Sequence, residues 1–277
     1  MHDKQTAISD DIEEIFRKYK NKIYWLAFGI TKNESDAEDV LQNVILNVMQ
    51  NIDRFRGEAA LTTWIYRIAY NESLKSLKRK YRFVKVADYI NKETQEIISG
   101  LFINWPTLPD ESMVEDEMKS RINETIRRMP IKYRMPLLLH QMERMPLKDI
   151  AAVLGLNVNS LKTRLHRTYL LLKSQIEAYE KDKEGPAQTD DRCLAVKNFV
   201  YDYIEETMDG DNRVSFEAHI RDCVPCKSFM DTYSKAIRIT KALECSDIPE
   251  ELTQKIGEFI AERASRTHER QKTEARR

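Results

Sequence analysis

The sequence predicts an all-α protein, and three observations carry that prediction. Glycine and proline are scarce, 7 and 8 among 277 residues, so the chain has few positions suited to sharp turns. Leu, Ile, Ala, Lys and Glu recur at three- and four-residue spacing, and no long run alternates apolar with polar residues as a half-buried strand would. No apolar stretch approaches the roughly 20 residues needed to cross a bilayer. The length suits two or three small domains. The N-terminus, Met1-His2-Asp3-Lys4-Gln5, lacks the apolar core of a signal peptide, so a cytoplasmic location is expected.

The elements follow in order. Residues from about Asp10 to Ile30 form an amphipathic helix with Ile12, Ile15, Phe16, Tyr19, Ile23 and Leu26 on one face. Gly29 to Asn33 is expected to break it. Asn33 or Ser35 caps the next helix, whose first turn is acidic and whose apolar stripe is Val40, Leu41, Val44, Ile45, Val48 and Met49. A loop, Arg54 to Glu58, precedes a third helix from about Leu61 to Tyr81, first aromatic and then basic. Residues 86–112 are a linker, because Pro106 and Pro109 forbid a helix interior. Helix resumes from about Met113 to Arg128. Pro130 and Pro146 then stand where helices start, and four short helices end in a longer one from about Asn159 to Tyr179. A second linker at 181–189 contains Gly185-Pro186. A last helical module spans about 190–264, and 265–277 form a tail that is expected to fray.

Formal charge balances, 45 basic against 45 acidic residues, but it is sorted along the chain. Lys75, Lys78, Arg79, Lys80, Arg82 and Lys85 follow the aromatic stretch Trp64–Tyr70, and Lys162, Arg164, Arg167 and Lys173 line a second segment. Acidic residues gather at 34–39, 110–117 and 202–211. Local patches of this kind, rather than net charge, decide nucleic-acid contact.

Two of these segments carry motifs. In the third helix, Trp64, Tyr66 and Tyr70 lie beside Arg67, Asn71, Lys75 and Lys78. Rings flanked by cations suit single-stranded DNA, with bases stacked on the rings and phosphates on the cations. Trp64 is assigned to packing, and Arg67, Asn71, Lys75 and Lys78 to a DNA-facing side. Further on, Pro146–Leu154 and Ser160–Leu172 read as the two helices of a helix-turn-helix. Gly155 suits the left-handed residue that ends the first, and Asn157 or Asn159 caps the second. Ile150, Ala151, Leu154, Leu161 and Leu165 hold the pair together. Lys162, Thr163 and Arg164 are then placed to meet base edges and Arg167 a phosphate. His166 is given no role.

The pair, in this order, resembles the extracytoplasmic-function class of bacterial RNA polymerase sigma factors over residues 10 to 180. The carrying residues are Asp36-Ala37-Glu38-Asp39-Val40-Leu41-Gln42-Asn43-Val44, Phe55-Arg56-Gly57-Glu58, Thr63–Asn71, and Met145–Arg167. The resemblance implies two small helical sigma domains. The first, 10–85, would read the −10 element, and its loop would capture an unstacked base. Asp39 and Gln42 would dock on the clamp helices of the polymerase β′ subunit. The second, 113–180, would read the −35 element. The implied partners are promoter DNA and core RNA polymerase, through the β′ clamp helices and the β flap.

A third motif lies beyond them. Cys193, His219, Cys223 and Cys226 are spaced C-x25-H-x3-C-x2-C. Three sulfurs and one nitrogen suit one tetrahedral Zn²⁺ in a closed structural site. The alternative is a Cys223–Cys226 thiol pair with reversible disulfide chemistry. Cys245 stands outside the pattern. With Tyr201-Asp202-Tyr203-Ile204-Glu205, the segment resembles the zinc-binding anti-sigma domain, which in separate proteins masks the polymerase surfaces of a sigma factor. Fused here, it implies a regulatory contact within the chain, with the acidic 202–211 stretch facing the basic Arg67–Lys85 or Lys162–Lys173 segment. Inhibition, redox or metal sensing, and plain scaffolding are all compatible with such a module.

The sequence thus points to a sigma factor with a fused zinc or thiol module. The alternative is a helix-turn-helix regulator that never engages core polymerase, but it would have no need of the Asp36–Val44 and Thr63–Asn71 segments. An enzyme is not indicated, for there is no phosphate-binding glycine loop, nucleophile–histidine pairing or open metal site.

Overall fold

A computed structural model describes residues 2–52, 55–57, 59–80, 103–104, 116–141, 144–180, 191–241, 244–245 and 247–274. Its helices are α1 (His2–Thr31), α2 (Glu34–Asn51), α3 (Leu61–Lys80), α4 (Asp116–Arg128), α5 (Ile131–Gln141), α6 (Leu147–Leu154), α7 (Val158–Glu180), α8 (Asp191–Ile204), α9 (Gly210–Asp222), α10 (Val224–Lys241) and α11 (Glu250–Glu274). The all-α expectation holds, with one small addition. Ile103–Asn104 (β1) pairs antiparallel with Glu244–Cys245 (β2), so part of the expected 86–112 linker is strand. The remainder of that linker, the 181–189 linker, Arg82 and Lys85 lie outside the described residues.

The first three helices pack against one another. On α2, Ala37, Val40, Leu41, Val44, Ile45 and Val48 are buried at the three- and four-residue intervals of one helical face. They meet Phe16, Ile23, Ala27 and Ile30 of α1 and Ile65, Tyr66 and Ala69 of α3. Asn33 caps α2, its side chain accepting from the Asp36 N–H at 2.9 Å, which selects it over Ser35. α1 ends inside the expected Gly29–Asn33 break: the helix includes Gly29, stops at Thr31, and the turn is made by Lys32 with φ 56°.

Three helices, α5 to α7, lie between α4 and residue 180 among the described residues, where four were expected. The long α7 is the spine of this part, packed by α4, α5 and α6. Gly155 ends α6 at φ 65° and ψ 38°, and the Asn157 side chain accepts from the Ser160 N–H at 2.7 Å, so Asn157 rather than Asn159 is the cap. The expected inward residues Ile150, Ala151, Leu154, Leu161 and Leu165 are all buried.

The segments come together closely. α3 lies on α6, α1 touches α5, and α10 runs along α7 with α8 and α9 packed behind it. The last helix leaves that group. Ile256 and Ile260 of α11 join Phe16 of α1 around a groove of about 520 Å³, and Lys20 Nζ donates to Thr253 Oγ1 at 3.2 Å. Asn21 Nδ2 donates to Asp247 Oδ1 at 2.6 Å. Residues 265–274 continue α11 as helix, where a frayed tail was expected.

Candidate nucleic-acid interface and metal centre

On α3, Arg67, Asn71, Lys75 and Lys78 are all exposed and form one stripe along the helix. The buried residues Ile65, Tyr66, Ala69, Ser73, Ser76 and Leu77 fill the opposite side, which is why the polar stripe faces out. Lys75 pairs with Glu72 at 2.6 Å. At 63% exposure for the lysine, such a pair contributes less than about 1 kcal/mol and leaves the ammonium available. Trp64 packs on Phe55 with ring centroids 5.4 Å apart. Both rings, with Arg56, Thr63 and Arg67, line a cavity of about 280 Å³, and Ala152 of α6 completes it. Trp64 is therefore half-buried and faces this cavity as well as its packing partner. On α2, Asp39 is exposed and Gln42 half-buried.

The second helix of the helix-turn-helix carries the other four assigned residues. Thr163 and Arg167 are exposed. Lys162 and Arg164 are not free. Lys162 Nζ lies 2.7 Å from Asp202 Oδ1 and 3.0 Å from Thr207 Oγ1, both beyond α7 in the C-terminal part of the chain. Arg164 stands on the other flank, close enough to Tyr70 of α3 to oppose the upward push that burial gives the Tyr70 hydroxyl. Of the two basic segments that the acidic 202–211 stretch was expected to face, it meets the α7 one through Asp202.

Behind Lys162 lies a seam that the sequence did not mark. Tyr169 of α7 stacks on Tyr201 of α8 at 5.9 Å and meets Tyr233 of α10 edge-on at 5.8 Å. All three are buried, and Gln141 donates to the Tyr169 hydroxyl. Burial raises all three phenols well above their ordinary range. His166, given no role from sequence, has Nδ1 3.0 Å from the Tyr233 hydroxyl. His140 Nε2 is 3.7 Å from Glu205. Burial holds both imidazoles below their usual range, Glu205 and Asp202 respectively opposing, and Lys241 and Arg167 reinforcing the shift. Further along, Lys173 Nζ sits 4.4 Å above the Phe229 ring and 2.5 Å from Glu177. Only the tyrosines themselves, Tyr169, Tyr201 and Tyr233, could have hinted at this seam.

Cys193, His219, Cys223 and Cys226 are brought together. Their ligand atoms all lie within 4.8 Å of one another, in the first turn of α8, the last turn of α9, the α9–α10 junction and the first turn of α10. The local folding explains the gathering. Cys223 ends α9 in an extended conformation, its N–H donating to His219 O at 2.9 Å, and α10 starts at the next residue. The first turns of α8 and α10 bring Cys193 and Cys226 to the junction that carries Cys223. Cys193 Sγ is 3.8 Å from both Cys223 Sγ and His219 Nε2, and Nε2 is 3.3 Å from Cys226 Sγ. Without a cation, burial and then the two neighbouring thiols push the Cys226 thiol up to about 12. Cys245 lies apart, in β2. Among the described residues no helix is long and apolar enough to cross a membrane.

Comparison with known proteins agrees with the first two modules. The Sigma-70 region 2 family matches residues 15–83 and the Sigma-70 region 4 family residues 119–172. The chain is 30% identical over 173 residues to the ECF RNA polymerase sigma factor SigW of Bacillus subtilis, covering 60% of this chain and 89% of that protein. It is 27% identical over 150 residues to the RNA polymerase sigma-H factor of Pseudomonas aeruginosa, covering 54% and 78%. Among solved structures it resembles the sigma factor RpoE of Bartonella quintana in complex with the anti-sigma factor NepR, at 16% identity and a TM-score of 0.46, covering 60% and 97%. The chain belongs to the ECF RNA polymerase sigma factors, and is a promoter-specific transcription initiation factor rather than an enzyme.

Proposed function

We propose that this sigma factor is held inactive by its own C-terminal module, which binds one Zn²⁺ and behaves as an anti-sigma domain in cis. The observation that carries this reading is the Lys162 ammonium, assigned to base contact yet bonded to Asp202 and Thr207. An acidic side chain thus occupies the place a promoter would take. The cluster geometry supports the metal. With Zn–S of about 2.3 Å and Zn–N of about 2.0 Å, a tetrahedron has S–S edges of about 3.8 Å and S–N edges of about 3.5 Å. Three of the separations, 3.8, 3.8 and 3.3 Å, lie near those edges, and all the ligand atoms lie within 4.8 Å of one another. The metal would supply folding energy and a charge that keeps three thiolates together, and no open coordination position is needed.

In the released form, Arg67, Asn71, Lys75 and Lys78 meet the −10 element, and Lys162, Thr163, Arg164 and Arg167 meet the −35 element. Asp39 and Gln42 dock on the β′ clamp helices, and the second module on the β flap. Exposure of the α3 stripe and of Asp39 supports these assignments. A regulator that never engages polymerase is set aside by the family. The test is transcription in vitro with core polymerase, before and after a strong chelator. Transcripts should appear only with core enzyme and increase on chelation. Tight duplex binding without added transcripts would sink the reading.

The two DNA roles should separate. Arg164→Ala is expected to weaken upstream recognition by about 1–3 kcal/mol, as loss of a base contact does. Asn71→Ala should leave the closed complex intact and impair opening, since an extruded base needs a polar pocket edge. Permanganate footprinting reads the second effect, and normal melting in the Asn71 variant removes that assignment.

The seam should also respond to pH. His140 and His166 have docked pKa values below the ordinary imidazole value of about 6.5, so docking favours their neutral forms. That contribution is full above about 6.5 and is lost as pH falls through the lowered docked values. Protection factors along α7 and α10, referred to intrinsic exchange at each pH, are expected to fall between about pH 7 and pH 5. A double variant, His140→Gln with His166→Gln, should flatten the response. An unchanged response in that variant rules the imidazoles out.

A further inference from the structure

We infer that the two promoter-reading modules are latched directly to each other through Gly29 and Arg134, independently of the C-terminal module. The inference rests on the closed arrangement described above, but on a different contact within it.

Gly29 lies inside α1, where glycine is unfavourable relative to alanine because it has more backbone freedom to lose. Its surroundings show what offsets this. A Cβ built at Gly29 would meet Met135 Cε at 3.0 Å and Leu138 Cδ1 at 3.9 Å. Both belong to α5, and apart from the adjacent Phe28 and Ile30 no first-module side chain among the described residues lies within 4 Å of that point. The missing side chain therefore serves only the approach of α5 to α1. Once the modules part, a side chain there would project into solvent.

The carbonyl of Gly29 gives the second observation. It lies in the last turn of α1, where carbonyls lack intrahelical donors. Arg134 Nη2, from α5, donates to it. The same guanidinium donates through Nη1 to Arg127 O at 2.9 Å and Met129 O at 3.1 Å, at the end of α4. Arg134 is fully buried. One cation thus sits where the negative ends of two helix dipoles converge, and one of those helices is in the other module. Burying a guanidinium costs much of what its bonds return. The latch is accordingly reversible, strong enough to bias the chain and weak enough for polymerase to open.

The consequence is mutual cover. With α1 on α5, α6 lies on α3, and Ala152 closes the cavity formed by Phe55, Trp64 and Arg67. Loss of metal would release the C-terminal module and leave this contact in place. Full activation then takes two steps.

The test uses the full-length chain with Gly29→Leu and Gly29→Ala. Apparent affinity for core polymerase is measured by fluorescence anisotropy, with and without chelator. Circular dichroism and zinc content report folding. Apparent Kd scales inversely with the open fraction, so Gly29→Leu is expected to tighten binding by about 5- to 30-fold. Gly29→Ala should tighten it less, because Met135 Cε is a flexible end that can shift. The gain should persist after chelation. Should the leucine variant fail to fold, the alanine variant decides by the same criterion. Unchanged or weaker binding in a folded variant overturns the latch, and so does a gain that disappears when metal is removed. If chelation alone has no effect while Gly29→Leu tightens binding, the latch stands and the inhibitory reading of the zinc module falls.

Discussion

Cys226→Ser is expected to abolish metal binding and unfold α8–α10 while leaving the promoter-reading modules folded. Cys226 is fully buried at the centre of the cluster, 3.3 Å from His219 Nε2. The module's larger buried apolar side chains are Val196, Val200, Tyr201, Phe216, Tyr233, Ile237 and Ile239, and the two tyrosines among them face α7 rather than one another. So small a core cannot by itself offset the entropy of ordering three helices. A structural zinc contributes on the order of 10–16 kcal/mol in small domains, and that binding energy is folding energy. The other modules keep their own cores on α2 and α7. Elemental analysis should fall from one zinc per chain to none, with a partial loss of helical signal. Zinc retained at full occupancy, or helicity unchanged, contradicts the assignment.

Ending the chain at Glu180 should raise transcript yield at limiting core polymerase by at least about 10-fold. A module joined covalently to the surface it covers has an effective concentration in the millimolar range, so even a weak contact is occupied most of the time. Truncation removes the Lys162–Asp202 pair, the tyrosine seam and the α11 contact with α1 together. It also bares Tyr169 and its neighbours on α7, so the soluble, folded fraction must be measured alongside. At saturating polymerase the two chains should converge, because the enzyme then displaces the module. Equal yields at limiting polymerase, before and after chelator, would make the module a scaffold instead.

What the sequence disclosed divides along a physical line. The apolar stripe of α2, the left-handed Gly155 and the four metal-ligand candidates were readable because each depends on neighbours within a few turns or on fixed ligand chemistry. Gly29 read only as the start of a helix break for the same reason. Local propensity opposes glycine in a helix, and the contact that overrides it is with a residue over a hundred positions away. His166 was given no role because its partner, Tyr233, is on a helix that no periodicity links to α7. The docking of α11 on α1 was equally silent, since an amphipathic stripe states that a face is covered but not by what.

The short β1–β2 ladder bears on reach. Between Lys80 and Asp116 the chain has 35 residues, and at about 3.3 Å each they could separate the two modules by roughly 115 Å. Pinned at Ile103–Asn104 to the strand before α11, only 11 residues remain before α4, or roughly 36 Å. The pairing shortens the tether by which one module can stray from the other. A factor that must straddle two separated promoter elements is thereby kept to a short stride until its far end lets go.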